Sequence, residues 1–327
     1  MSLSQGNQRA RPITIAHRGA CAYLPEHSLA AKAYAHAQGA EFIEQDVVAT
    51  ADDALVVLHD IHLESVTDVA SAFTDRARDD GRYYARDFTL NELKQLRLRE
   101  RSQPDGTPVF DNRYPSGLTP FEIPTLAEEL QLIRGLNHST GRHAGIYPEI
   151  KKPAWHREEG VDIAPLLLDV LKQAGYDDTP EQVWLQCFDS SELIRLKSRW
   201  RSPYRQVQLI GDDSWNESPD HFAAMIEPEG LVFLKGIADG IGPWIPQLYT
   251  VDERGNILGT ALIEHAHALN MQVHPYTLRA DALPPGFETL ESLLTWLTEQ
   301  GIDGIFSDFP DRAVRLFDGL GLASQAR

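Results

Sequence analysis

The sequence predicts an α/β fold, a (β/α)8 barrel with a small insertion after a hairpin on its second strand. Three observations predict it. Short β-rich segments begin near residues 13, 42, 146, 183, 206, 239, 272 and 304. From residue 125 onward such segments alternate with helix-patterned stretches, and eight units in roughly 260 residues suit a closed barrel. No G-x-G-x-x-G follows the first strand, so the rival open doubly wound sheet lacks its dinucleotide-binding turn.

Taken in order, residues 1–12 form an N-terminal tail, and residues 13–327 form the barrel domain. The first strand, Ile13–Ala16, runs directly into His17-Arg18-Gly19-Ala20. A loop through Pro25 leads to Ser28, a good N-cap. The Ala-rich run Leu29–Gln38 then reads as helix, with Gly39 as its C-cap.

Residues 41–60, EFIEQDVVATADDALVVLHD, are two β-rich arms about a turn at Ala51-Asp52-Asp53. A parallel return needs a crossover of about a dozen residues, and the link here is far shorter, so the arms pair antiparallel. Glu44 and Asp46 lie two apart and share a face, and folding the hairpin returns His59 beside them. Residues 61–124 break the rhythm: a charge-dense piece at 74–86, scattered Gly and Pro at 104–124, and at most a short helix at 90–98. A structureless loop this long is rare in a compact domain, so the stretch reads as an insertion subdomain.

Regular units follow. Helices at 126–136, 163–174, 191–199, 260–270 and 290–300, with a weakly patterned segment at 219–236, separate strands at 145–150, 183–188, 206–210, 239–242, 272–276 and 304–308. A last helix covers 310–317, with Asp308 read as its cap and Pro310 in its first turn.

The chain has 48 acidic and 30 basic residues, a formal charge of −18. Nonspecific nucleic-acid binding depends on many Lys and Arg at phosphates, so that charge argues against nucleic acid as a partner. An anionic substrate needs a locally reversed field, most simply from a bound cation. Only Cys21 and Cys187 are present, too few for a disulfide framework; they read as two free thiols, with a single bridge as the alternative. No apolar run has the length of a membrane span. The N-terminal residues carry no apolar signal-peptide core.

In such barrels chemistry sits at the C-terminal ends of the strands, and the unusual polar residues fall there. Strand one ends in His17-Arg18, strand two carries Glu44 and Asp46, and Glu149-Ile150-Lys151 ends the third. Gln186-Cys187-Phe188, His274-Pro275-Tyr276 and Ser307-Asp308 end later strands. Glu44, Asp46 and Glu149 together form an all-oxygen set suited to Ca²⁺ or Mg²⁺ rather than zinc. Three acids, a divalent ion, Arg18 and Lys151 balance near +1, which fits a phosphodiester monoanion. Each residue alone has a plainer role. Glu44 and Asp46 could pair with neighbouring Arg or Lys, Glu149 could neutralise Lys151, and His59 and His274 could be hydrogen-bonded structural histidines. Cys187 reads as packing. The combination at one barrel mouth favours a site.

His17-Arg18-Gly19, Glu44-x-Asp46, His59-Asp60 and Pro148-Glu149-Ile150-Lys151 resemble the motifs of the glycerophosphodiester phosphodiesterase family. The wider wording, AHRGACAYLPEHSL, DGRYYARDFTL, IYPEIK and VHPYTLR, is similar to its periplasmic bacterial branch. The resemblance implies a TIM barrel that hydrolyses glycerophosphodiesters, such as glycerophosphocholine and glycerophosphoethanolamine, to sn-glycerol 3-phosphate and an alcohol. It implies metal binding by Glu44, Asp46 and Glu149, typically of Ca²⁺ with Mg²⁺ as the alternative. His17 and His59 become the acid–base pair, and Arg18 and Lys151 the phosphate contacts. It also implies a periplasmic enzyme, although the chain shows no secretion signal and the cytoplasm stays open, as does a homodimer. Other readings are a phospholipase-like relative acting on lysophospholipids or inositol esters, and a noncatalytic metal- or glycerophosphate-binding protein. The insertion leaves the barrel just after His59-Asp60, so Tyr83, Tyr84 and Arg86 are expected either to wall the pocket as a lid or to belong to a structural cap.

Overall fold

The computed structural model describes residues 11–115, 117 and 119–320. In chain order, β1 (Ile13–Ala16) leads to α1 (Leu29–Gln38), and β2 (Phe42–Ala49) pairs with β3 (Leu55–Val57). Helices α2 (Val69–Ala72) and α3 (Leu90–Leu93) fall within the insertion. Then come α4 (Leu126–Thr140), β4 (Gly145–Ile150), α5 (Pro153–Glu158), α6 (Ile163–Gln173), β5 (Trp184–Cys187), α7 (Ser190–Ser198) and β6 (Arg205–Ile210). The chain continues through α8 (Phe222–Met225), α9 (Pro228–Lys235), β7 (Gly240–Pro243), β8 (Tyr249–Val251), β9 (Ile257–Gly259) and α10 (Leu262–Ala268). It ends with β10 (Gln272–Val273), α11 (Leu290–Gln300), β11 (Gly304–Ser307) and α12 (Pro310–Gly319).

Eight strands run parallel in the order β10-β7-β6-β5-β4-β2-β1-β11. The ends approach closely: the Asp303 and Phe306 amides donate to Val273 and Pro275 carbonyls at 3.0 Å each. The result is a nearly closed barrel with helices between the strands, as the sequence predicts. Where hydrophobic runs are buried on both faces, alternate side chains enter two different cores. Ile43, Val47, Ile146 and Ile150 point outward into the large layer between strands and helices. Ile15, Tyr147, Trp184, Val207, Leu209 and Phe306 fill the barrel interior.

Local signals act as read. Ser28 Oγ accepts from the Ala31 amide at 3.1 Å, and Gly39 ends α1 in the left-handed region at φ 101°. The α4 terminus carries a capping box between Thr125 and Glu128. One difference is β8–β9, an antiparallel pair between β7 and α10 that the sequence reading passed over. Its strands are three residues each and mostly exposed, too short to leave a period-two pattern.

The β2–β3 hairpin is antiparallel, with Val47 opposite Val57 and Ala49 opposite Leu55. Its outer face, Val48, Val56 and Leu58, joins Leu63, Val66, Val69, Phe88, Leu93, Leu96, Leu98 and Ile123 of the following segment in a separate core. That core is why residues 61–124 hold shape with so little regular structure. No helix among the described residues is long and apolar enough to cross a membrane. Cys21 and Cys187 are separate, buried thiols.

Candidate active site

The site is built at the C-terminal mouth by pairing register. Glu44 lies opposite Tyr147 and Asp46 opposite Glu149 on adjacent parallel strands, and Glu149 lies opposite Gln186 on β5. Tyr147 is interior, so Glu149, two residues on, is interior too. Three carboxylates therefore sit directly above the apolar barrel floor. The first loop closes over them. Gly19 has φ +88°, and a Cβ there would lie 2.9 Å from the Ala31 carbonyl carbon, so only glycine lets this turn lie against α1. Arg18, also left-handed at φ 54°, aims its own amide at Glu44 Oε2, 2.7 Å away.

Ligand oxygens of Glu44, Asp46 and Glu149 all lie within 4.8 Å of one another. Burial and the neighbouring Asp46 push the Glu44 carboxyl up to about 8. Burial raises Glu149 well above the usual range, although Lys151 Nζ sits 2.8 Å from it. For Asp46 the desolvation penalty is outweighed by His27, whose Nε2 is 2.7 Å from Oδ2, and its pKa falls well below normal. His27 is in turn held by buried Lys32 at 3.1 Å. Asp46 Oδ1 is buried with no hydrogen-bond partner. An orphaned carboxylate oxygen facing two acids pushed toward protonation is a place that a cation would stabilise. The donor set, all oxygen, fits a hard divalent ion.

Two histidines flank the acids, each fixed by an aspartate. His17 Nδ1 is 2.6 Å from Asp308 Oδ1, and His59 Nδ1 is 2.6 Å from Asp60 Oδ1. Burial lowers His17 to about 4 despite Asp308, and burial with Arg18 and Lys151 lowers His59. Both aspartates stay ionised: burial would raise each, but Arg279 and His17 at Asp308, and His59 and Arg101 at Asp60, hold them well below the usual range. An ionised carboxylate accepts from Nδ1–H, which leaves each Nε2 free to exchange protons.

All seven residues picked from sequence line one cavity of about 570 Å³: His17, Arg18, Glu44, Asp46, His59, Glu149 and Lys151. The plainer pairings hold in part. Lys151 does pair with Glu149, while Glu44 is bound by the Arg18 amide and by Gln186 Nε2 at 2.8 Å rather than by a cationic side chain. His274 is structural, between Tyr147 Oη at 2.8 Å and Gln272 at 3.0 Å. One expectation fails, and of the two readings of the insertion the lid does not hold. Asp308 is no helix cap: Phe309 occupies that position without a side-chain bond, and Asp308 instead gathers His17, Arg113 and Arg279. Tyr83, Tyr84 and Arg86 do not wall the cavity. Tyr83 enters the insertion's core, Tyr84 stacks on Trp155, and Arg86 binds the Thr50 carbonyl and Asp53. The wall is supplied by Trp215, Trp244, Ile245, Pro246, Pro284 and Pro285 from loops after β6, β7 and β10.

Sequence reasoning missed Asp60, Asp308, Glu26 and His27 as supporting groups. Glu26 and His27 lie in the loop after β1, where the strand-end rule that found His17 could have found them, whereas that rule does place Asp308 at a strand end and the cap reading hides its role.

Barrel, acidic triad and paired histidines define a (β/α)8 phosphodiesterase. The description "Glycerophosphoryl diester phosphodiesterase family" matches residues 17–312, and the chain belongs to that family. It is 40% identical over 98% of its length to a Haemophilus influenzae glycerophosphodiester phosphodiesterase, of which it covers 93%. It is 35% identical to a Treponema pallidum glycerophosphodiester phosphodiesterase, covering 93% of this chain and 91% of that one. Solved folds agree. A glycerophosphoryl diester phosphodiesterase described as putative in its own structure, from Silicibacter pomeroyi, superposes at TM-score 0.70 with 22% identity over 97% and 96% of the two chains. An Oleispira antarctica phosphodiesterase, solved in complex with the product sn-glycerol-3-phosphate, superposes at 0.65 with 23% identity over 94% and 97%.

Proposed function

We propose that the chain hydrolyses glycerophosphodiesters such as glycerophosphocholine and glycerophosphoethanolamine to sn-glycerol 3-phosphate and an alcohol, with Ca²⁺, or else Mg²⁺, held by Glu44, Asp46 and Glu149. The observation that carries this is the meeting of three acids and two aspartate-held histidines in one cavity with Arg18 and Lys151. A hard cation bound there supplies neutralisation of a phosphate oxygen and Lewis acidity. The Arg18 guanidinium and Lys151 ammonium attract and orient the phosphate, and donate to charge that grows on its oxygens. One histidine Nε2 takes the proton from the attacking hydroxyl. The other first gains a proton at Nε2 from solvent and then delivers it to the leaving alkoxide. Asp308 and Asp60 hold the Nδ1 protons and so stabilise each imidazolium as it forms. The apolar wall beyond the phosphate receives one substituent of the diester. The product bound to the Oleispira relative is the product this reading assigns. By resemblance to the periplasmic branch, the proposed compartment is the periplasm.

The test is to strip the purified protein with chelator, add glycerophosphocholine with and without Ca²⁺, and identify the phosphorylated product by ³¹P NMR. Cation-dependent release of sn-glycerol 3-phosphate is expected. Phosphocholine as product would overturn the bond assignment, and full turnover after exhaustive chelation would overturn the metal.

A further inference from the structure

Behind the histidines lies a second, smaller cavity of about 240 Å³, where residues of the insertion, Arg101 among them, meet His17, Arg18, Glu26 and His59. Arg101 bridges two carboxylates there. Its Nη1 donates to Asp60 Oδ2 at 2.6 Å, on the carboxylate oxygen opposite the one that holds His59. Its Nε and Nη2 grip both oxygens of Glu26, at 2.9 and 2.7 Å. Glu26 Oε2 also takes Arg18 Nη1 at 2.9 Å. One planar guanidinium thus ties the carboxylate behind His59 to the carboxylate behind Arg18, on two sides of the phosphate position.

We propose that Arg101 is a positioning residue for the reaction, and that the insertion serves the site by delivering it. The backbone around Arg101 is built for that. Ser102 N–H donates to Ser65 O at 2.9 Å, Arg99 N–H to Val66 O at 2.8 Å, and Val109 N–H to Arg101 O at 3.0 Å. The segment is fixed against the stretch that leaves the barrel after Asp60, and beneath it Leu63, Val66 and Leu98 are fully packed. Five donors in a rigid fork suit two carboxylates at once, which a lysine cannot reproduce. Without Arg101, Asp60 Oδ2 keeps only the longer bond from Ser65 Oγ at 3.3 Å, and the hold on the His59 tautomer and direction loosens. Groups that orient metal-ligating histidines from behind typically matter by about 10–100-fold, and the same range is expected for a reacting histidine.

This inference rests on the reading of His59 as a proton-transfer group. The experiment compares wild type, Arg101→Met, Arg101→Lys, His59→Ala and the control Arg99→Met, which removes a clasp inside the insertion, Arg99 Nη2 to Glu64 O at 2.8 Å. kcat and KM are measured on glycerophosphocholine, together with ¹⁵N-histidine spectra that report the His59 tautomer. Arg101→Met should lower kcat about 10–100-fold and mix the His59 tautomers, Arg101→Lys should recover little of either, and Arg99→Met should leave both near wild type. Should Arg101→Met fail to fold, Arg101→Lys, which keeps the charge and loses the fork, carries the comparison. Near-normal kcat with an unchanged His59 signal in the folded Arg101 variant overturns the proposal. So does an equal loss in Arg99→Met, which would make the effect one of general loosening. Normal kcat in His59→Ala would instead sink the reading on which it stands.

Discussion

At the scale of single residues, the site separates groups by what burial does to their charge. Burial depresses the pKa values of His17 and His59, each is held by a carboxylate at Nδ1, and His17 Nε2 lies 4.0 Å from Glu44 Oε2. Neutral histidines with a free Nε2 are suited to take a proton first and return it later. General acid–base groups contribute about 10²–10⁴-fold each, so His17→Ala and His59→Ala should each lose kcat on that scale. Thermal unfolding should change far less than kcat, since both rings line the cavity. If the two act in one relay, the double variant should retain far more activity than the product of the single losses predicts. Steady-state kinetics on the three variants decides it, and wild-type kcat in either single variant removes that histidine from the chemistry.

At the scale of elements, the hairpin explains which parts of the site are legible in sequence. Strand periodicity puts Glu44 and Asp46 on one face, and a link too short to cross over forces His59 back beside them. These are local rules, acting over fewer than twenty residues. Partners across the chain leave no such trace. Asp308 meets His17 over a separation of 291 residues, and Arg101 meets Glu26 over 75. A strand-end aspartate before a proline-started helix resembles a cap until the barrel brings β1 beside β11. The lid, one of the two readings open for the insertion, fails for a related reason. Aromatic and basic residues in an insertion near the mouth look like pocket wall, but Tyr84 is drawn away by stacking on Trp155 at 5.6 Å and by Arg78 over its ring at 4.1 Å. The wall belongs to Trp215 and Trp244, rings 5.1 Å apart, on separate loops. Trp215→Ala should therefore raise kcat/KM for bulky-alcohol diesters relative to glycerophosphoethanolamine. Tyr84→Ala should leave that ratio unchanged. A substrate series in which both variants shift it equally would return the insertion to the pocket wall.

At the scale of the whole molecule, buried histidines away from the mouth set how stability responds to acid. His274 sits in the barrel interior and His156 behind the hairpin, where its Nε2 accepts from the Ala49 amide at 3.3 Å. Burial lowers both to about 4, against about 6.5 in an unfolded chain. Between those values the unfolded chain binds a proton at each position and the folded chain does not. Their contribution is complete above pH about 6.5 and is lost as pH falls toward 4, by about 1.4 kcal/mol per pH unit for each group. Glu100 acts in the opposite sense. Burial and Glu26 raise it to about 8, so what it contributes is present at low pH and is lost as pH rises through 8. Across pH 4.5 to 6.5 it acts with the other raised acids, Glu44, Glu129, Glu149 and Glu192, against His156, His274 and the other lowered histidines, His17, His27, His36, His59 and His62, which stay in the majority. Urea unfolding should accordingly show lower stability at pH 5 than at pH 7. His156→Gln, which keeps a polar group at the Ala49 amide without a titrating ring, should make the protein less stable at pH 7 but flatten the dependence between the two. Parallel pH profiles for the variant and the wild type would show that His156 does not titrate in this window, and that the acid limb comes from the carboxylates instead.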